Sequence, residues 1–447
     1  MQRTLIKDTI EKAGSEVLLK GWVRLRRDHG KLIFLDFVDR SALVQVVVNP
    51  KVSEEAYKTA QKLRPEFSIE IIGKVNKRPE TAVNKNILTG GVEIEAKSIK
   101  IISKAQTLPF DMGGEDLNLE LPTLLDYRTL TLRHPKQKAI FKVQAEIAKS
   151  FRKTAEELGC TEIFVPTISP SATEGGSDVF KLDYYEHPAF LTQSPQLYKQ
   201  MMVGVLERVY TIAHAYRAEP SVTTEHLAEV VQMDCEIAFI ETFEELLDAF
   251  EYIGASIVKN TYDKCKDIIT AFGVEEPKIP NKIPRLKFRE AQEIIKKRTG
   301  HDLTRELDLS RADEKEIWLW ARKEYNSDFV TITHYPTKKR AFYTYPDPEN
   351  PNESLSYDLI FKGVEIMSGS RRINDYDQLL SVMNDRGIDT SGFGMYLQAF
   401  KYGIPPEGGF SFGLERLTMK MLNLANVREA SLFPRDMERV DERFSKI

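Results

Sequence analysis

Between Glu16 and about Ile102 the apolar residues fall in five short runs, VLLKGWV, KLIFLDFVD, ALVQVVV, SIEIIGKV and VEIEAKSIKII. A period of two sends alternate side chains to opposite faces, so each run reads as a strand with one face inward. The turn signals Asp28-His29-Gly30 and Thr89-Gly90-Gly91 punctuate them, and a helical stretch, SEEAYKTAQKLR (Ser53 to Arg64), lies between the third and fourth. Five strands with a helix after the third admit few arrangements, and a small closed barrel satisfies that order.

Such a barrel, of the oligonucleotide-binding (OB) type, accounts for residues 1–103 only. The chain has 447 residues, more than one core usually holds, so further domains are expected. Residues 104–135 are rich in Pro, Asp and Leu without a sustained period and read as a hinge. From Lys136 a helical pattern runs to about Leu158 and stops at Gly159, and the strand EIFVPTI follows. Alternating strands and helices continue to the C-terminus, which predicts an α+β domain over 136–447 with a mainly helical insertion at about 262–330.

The composition is that of a globular protein, 42% hydrophobic and 29% charged. A formal net charge of -4 gives no global attraction to nucleic acid, so RNA contact falls to local basic stripes such as Arg24, Arg26 and Arg27. The three cysteines, Cys160, Cys235 and Cys265, form no CxxC or Cys/His cluster, which argues against a disulfide framework or a zinc site and for a reducing cytoplasm. The N-terminus lacks the apolar segment of a signal peptide, and no window approaches the roughly 20 apolar residues of a membrane span.

Two blocks carry the chemistry. In Arg208–Glu241, strand, polar loop and strand follow one another, and Arg217 and Glu219, two apart, are expected on one strand face. An Arg fork for phosphate beside a carboxylate for an amine suits a nucleotide, although a cross-strand salt bridge would use the same pair. In Pro405–Leu422, Gly408, Gly409 and Gly413 precede a helix bearing Arg416. Glycine lets backbone approach a flat ligand, and an Arg plane stacks on a base.

A helix and strand with Pro166, then YRAE with its polar loop, then GLER on a C-terminal helix, is the order of the three signature motifs of class II aminoacyl-tRNA synthetases. With the barrel in front, nearly the whole chain resembles class IIb and, within it, the aspartyl-tRNA synthetases of archaeal and eukaryotic type. The resemblance implies activation of L-aspartate with ATP and Mg²⁺, then transfer to the 3′-OH of tRNA(Asp), with tRNA(Asn) an open second acceptor. It assigns Arg217, Glu219 and Arg416 to catalysis, and these three with His226 and Glu365 to ATP. Glu365 and Ser368 are implied to hold Mg²⁺, with Asp358 behind them. Glu174, Gln196, Lys199, Asp234, Ser368 and Arg372 are implied to hold aspartate, and Arg27, Phe34 and Gln45 the anticodon. A homodimer through the region of Pro166 is implied as well.

Two positions depart from the pattern. The polar loop reads Thr223-Thr224-Glu225-His226-Leu227 where an arginine is usual in place of Glu225, and Glu407 stands where a histidine usually precedes the glycines. Both put an acid beside a site for anions. Either a cation compensates, with Arg371, Lys401 and Lys181 as candidates, or affinity falls. Asparaginyl-tRNA synthetases share most motifs but lack Lys199, and two cations, Lys199 and Arg372, suit a carboxylate rather than an amide. A catalytically inactive tRNA-binding paralogue is the remaining alternative.

Overall fold

A computed structural model describes residues 1–171, 178–220 and 223–444, which divide into two compact units, Met1–Glu120 and Leu121–Ile447. In the first, β1 (Glu16–His29), β2 (Leu32–Val38), β3 (Leu43–Val48), β4 (Ser68–Lys77) and β5 (Val92–Ser103) close a barrel in the order β1-β2-β3-β5-β4. Ile33, Leu35 and Phe37 on β2 and Val44, Val46 and Val48 on β3 alternate inward and are buried, which fixes the register. Helix α1 (Glu54–Ala60) lies between β3 and β4, as the sequence predicts; Ser53 caps it by accepting from the Ala56 N–H at 3.1 Å. Ala56 and Ala60 turn into the barrel core.

The second unit opens with two short helices, α2 (Leu121–Asp126) and α3 (Arg128–Thr131), and the long α4 (Pro135–Glu157), which ends where Gly159 takes φ +77°. Its centre is an eight-stranded sheet in the order β12-β13-β14-β15-β16-β11-β10-β6. These strands are β6 (Thr161–Glu162), β10 (Arg208–Tyr216), β11 (Glu229–Ala238), β12 (Arg285–Lys287), β13 (Phe329–Thr333), β14 (Ser356–Phe361), β15 (Val364–Arg371) and β16 (Glu407–Gly413). The six inner strands are antiparallel, and only the edge pairs β12/β13 and β6/β10 are parallel. The run EIFVPTI does not form one strand: Pro166, with no N–H to donate, separates β6 from β7 (Ile168–Ser169), which joins β8 (Lys181–Tyr184) and β9 (His187–Leu191) in a small sheet.

Met233, Cys235 and Ile237 on β11 and Phe410 and Phe412 on β16 face down onto α4 and α6 (Phe243–Ala271). Leu246, Phe250, Ile253 and Ile257, at helical spacing, are the matching stripe on α6, and Phe250 stacks on Tyr357 at 4.2 Å. Residues 262–330 finish α6, add β12 to the sheet edge and supply α7 (Phe288–Thr299) and α8 (Arg311–Tyr325). The opposite sheet face carries the polar residues; α5 (Gln196–Leu206) borders it, α9 (Tyr376–Asp385) and α10 (Gly394–Lys401) pack with α5 in a smaller apolar cluster, and α11 (Leu414–Met421) sets its apolar side into the core with α4.

Candidate active site

Because β11, β14, β15 and β16 are in register, their polar side chains line up in rows. Asp358 pairs with Ser368, Ser368 with Ser411 and Ser411 with Asp234; one row over, Ser370 pairs with Gly409 and Gly409 with Glu236. Gly409 is dictated by space, since a Cβ there would lie 2.0 Å from Glu236 Oε2 and 2.3 Å from the Cys235 carbonyl. A register shift in β15 opposite Leu359 and Ile360 lets Glu365 and Ser368, three apart, border the same cavity.

Two buried cations stand over these rows. Lys199, from α5, donates to Asp234 Oδ1 at 2.8 Å and to the Phe410 carbonyl at 3.2 Å, and its Nζ lies 3.1 Å from Glu236 Oε2. Arg372, just past β15, donates through Nε to Glu236 at 2.7 Å, and to Ser370 Oγ at 2.7 Å and Gln196 Oε1 at 3.2 Å. Burial alone would push the Lys199 ammonium down, but Asp234 and Glu236 reverse this and raise it; burial likewise opposes Glu236, and Arg372 and Lys199 outweigh it and hold that carboxyl below its ordinary value. All three groups stay charged out of water, a costly arrangement tolerated only when every charge is paired.

The rows floor a cavity of about 340 Å³. At its other end Arg416, in the first turn of α11, donates to the Glu365 carbonyl at 3.0 Å. Arg340 donates to Asp358 Oδ2 at 2.7 Å and to Ser368 Oγ at 3.1 Å, with its guanidinium 3.9 Å above the Tyr335 ring. Burial, then the facing Asp358, raises Glu365, and the second oxygen of Asp358 has no partner among the described residues. Glu415 accepts the Val231 N–H at 3.1 Å and ties α11 to β11; burial pushes its carboxyl up to about 7.

Of the residues singled out in the sequence, Gln196, Lys199, Arg217, His226, Asp234, Glu365, Ser368, Arg372 and Arg416 border this one cavity. Arg217 and Glu219 do not share a strand face, because β10 ends at Tyr216 and the Ala218 N–H turns away to the Asp178 carbonyl. The Arg217 side chain is exposed and makes no hydrogen bond among the described residues; Glu219 is exposed and outside the cavity wall. His226 is bonded to Thr223. Glu174 lies outside the described residues.

The two departures resolve differently from expectation. Glu225 is ion-paired with Arg311 of α8, not with Arg371, Lys401 or Lys181. Glu407 is fully buried, accepts from Gln200 Nε2 at 2.9 Å, and burial, then Glu236, raises its carboxyl well above the ordinary value. Sequence reading passed over Glu236, Arg340 and Arg311. Glu236 had a signal, standing two residues after Asp234 on the same strand face; the other two come from distant segments and had none.

On the barrel, Arg27 pairs across the strands with Phe34, and Asp36 with Gln45, all on the outer face. Arg27 is held by Asp36 at 2.6 Å, Phe34 lies edge-on to His29, and Gln45 donates to Glu93 at 3.3 Å. Arg24 instead makes a buried ion pair with Glu66 at 3.0 Å.

The cavity thus has a buried Lys and Arg at one end and Arg217 with Arg416 at the other, cations suited in chemistry to a small anionic ligand beside a phosphate-bearing one. The family described as tRNA synthetases class II (D, K and N) matches residues 120–437, and an OB-fold nucleic acid binding domain matches residues 17–102. The chain therefore belongs to the class II tRNA synthetases of this D, K and N group. More particularly, it is similar to the aspartate–tRNA(Asp/Asn) ligase of Thermus thermophilus, 40% identical over 98% of this chain and 99% of that one. The aspartate–tRNA(Asp) ligase of Pyrococcus furiosus is 38% identical over 97% of both chains. Among solved structures, asparaginyl-tRNA synthetase from Pyrococcus horikoshii with asparaginyl-adenylate superposes with a TM-score of 0.88 at 30% identity, over 98% of this chain and 99% of that one.

Proposed function

We propose that this protein is an aspartate–tRNA ligase that activates L-aspartate with ATP and passes it to the 3′-OH of tRNA(Asp). The observation that carries the substrate assignment is the pair of buried cations, Lys199 and Arg372, at one end of the cavity. A side-chain carboxylate entering there would share them with Glu236, while an amide would gain little from either cation. The ligand's ammonium would lie toward Asp234, with Glu174 as a second acid.

In the first step a carboxylate oxygen of aspartate attacks the α-phosphorus of ATP. The bond from that phosphorus to the bridging oxygen of the β-phosphate breaks, and pyrophosphate leaves. No base is required, because the α-carboxylate is ionised at neutral pH. Arg217 and Arg416 neutralise charge on the phosphates, and the rigid sheet supplies alignment. Glu365, Asp358 and Ser368 offer the hard oxygen donors that Mg²⁺ takes from a protein when phosphates complete its shell, and the raised Glu365 beside Asp358 is a carboxylate pair that a cation would relieve. The ion would neutralise the phosphate tail. In the second step the terminal tRNA hydroxyl attacks the aspartyl carbonyl and AMP leaves.

On the barrel face Arg27, Phe34 and Gln45 combine a cation, a ring and an amide, which suits single-stranded anticodon bases. A homodimer is supported by Phe164, Val205 and Phe239, 87%, 70% and 62% exposed, which adjoin in sequence the members of one small apolar cluster around Val203, Val209 and Ala238. The free cysteines fit a reducing cytoplasm. Labelled aspartate should appear on purified tRNA(Asp) in the presence of ATP; failure to charge it while the protein remains folded would contradict the proposal. Charging of tRNA(Asn) in parallel decides whether the second acceptor is used.

A further inference from the structure

A second cleft, of about 600 Å³, adjoins the first, with Glu225 on the wall of both. Its floor is one face of α8: Arg311, Lys315, Trp318 and Arg322 follow at spacings of four, three and four, the period of a single helical stripe, while Glu314, Ile317 and Ala321 turn inward. Two more lysines reach it from separate elements, Lys362 from the β14–β15 turn and Lys420 from α11. We propose that this cleft is a second anion site, which takes tandem phosphate groups such as those of inorganic pyrophosphate or of a nucleoside triphosphate tail.

The acids on its walls do not satisfy its cations. Asp328 is occupied by Arg322, by Trp318 Nε1 at 3.2 Å and by the Lys278 N–H at 2.8 Å; Glu225 is occupied by Arg311; Glu275 and Glu276 are exposed. Among the described residues, Lys315, Lys362 and Lys420 have no carboxylate within ion-pair distance. Burial lowers both Lys362 and Lys420, and the acids that act against it, Asp328 and Glu275 at Lys362 and Glu225 and Glu314 at Lys420, stand beyond ion-pair distance.

The turn bearing Lys362 makes the same point independently. Lys362 and Gly363 form a two-residue hairpin loop with φ +47° and +76°, a geometry that favours Asn-Gly. A lysine at the first position is the poorer choice for the backbone. Its side chain nevertheless lines the cleft. Three lysines from three elements suit a compact ligand with several negative charges rather than a single carboxylate.

The inference does not depend on which amino acid the enzyme activates. Equilibrium dialysis of labelled inorganic pyrophosphate uses the full-length Arg217→Ala protein, in which the catalytic phosphate end is weakened but Arg416 remains, so the cleft is read from the effect of its own lysines. In that background Lys315→Ala and Lys362→Asn are each expected to weaken binding about tenfold, the loss of one charge-assisted contact. Lys362→Asn improves the turn, so a merely structural lysine would show unchanged or higher stability with no change in binding. Tighter binding of ATP than of pyrophosphate identifies a nucleotide tail as the ligand, and binding of pyrophosphate alone identifies the free anion. Pyrophosphate binding that is absent in Arg217→Ala, insensitive to both lysine variants, or no tighter than that of orthophosphate overturns the proposal.

Discussion

Charge at single residues decides the chemistry. Glu407 is tolerated beside an anion site because burial raises its carboxyl well above the ordinary value and Gln200, which in turn accepts from Tyr396 at 3.1 Å, donates to it. Glu407→Gln should therefore change the KM for aspartate by less than about threefold, whereas Glu407→Lys, which buries a charge beside Arg372, should abolish activity. Steady-state exchange kinetics separate the two. Arg217 has the opposite character, exposed and unbonded among the described residues, so it is free to meet phosphate. Arg217→Ala should leave the melting temperature unchanged and abolish ATP–pyrophosphate exchange; substantial remaining exchange would remove Arg217 from the site.

At the level of strands and helices the site depends on register. Gly409→Ala should displace Glu236 and with it both Lys199 and Arg372, lowering exchange by at least about a hundredfold, with a loss of roughly 1–3 kcal/mol of stability from overpacking. Chemical denaturation and exchange assays on the same protein test both. Glu415, which joins α11 to β11, keeps its proton up to about pH 7, whereas the unfolded chain releases it near the ordinary 4.5. The native state therefore holds the extra proton, and stability falls as pH rises between those values, by roughly 1 kcal/mol per unit. Glu415→Gln should flatten that slope in melting temperature against pH. These local devices also mark what the sequence could tell. Barrel strands with strict alternation, the capped α1 and the glycine-then-helix turn before Arg416 were legible because each is a local pattern. The end of β10 at Tyr216, the pairing of Glu225 with Arg311 and the capture of Asp358 by Arg340 were not, because each rests on chain segments brought together only by the sheet.

At the scale of the whole molecule, the proposal gives anticodon contact to the barrel and both chemical steps to the sheet unit. In the full chain, Phe34→Ala should reduce tRNA charging about tenfold or more through lost base stacking while leaving amino-acid-dependent exchange intact; loss of both would show that the barrel residue acts on folding. The central claim concerns the amino acid. Lys199 and Arg372, already shared by Asp234 and Glu236, gain a further charged partner from aspartate's side-chain carboxylate and none from asparagine's amide, so the preference should be large. The measurement is ATP–pyrophosphate exchange with aspartate and with asparagine as sole amino acid. A kcat/KM favouring aspartate by about a thousandfold or more is predicted, and exchange driven by asparagine equally well, or by neither, would contradict it.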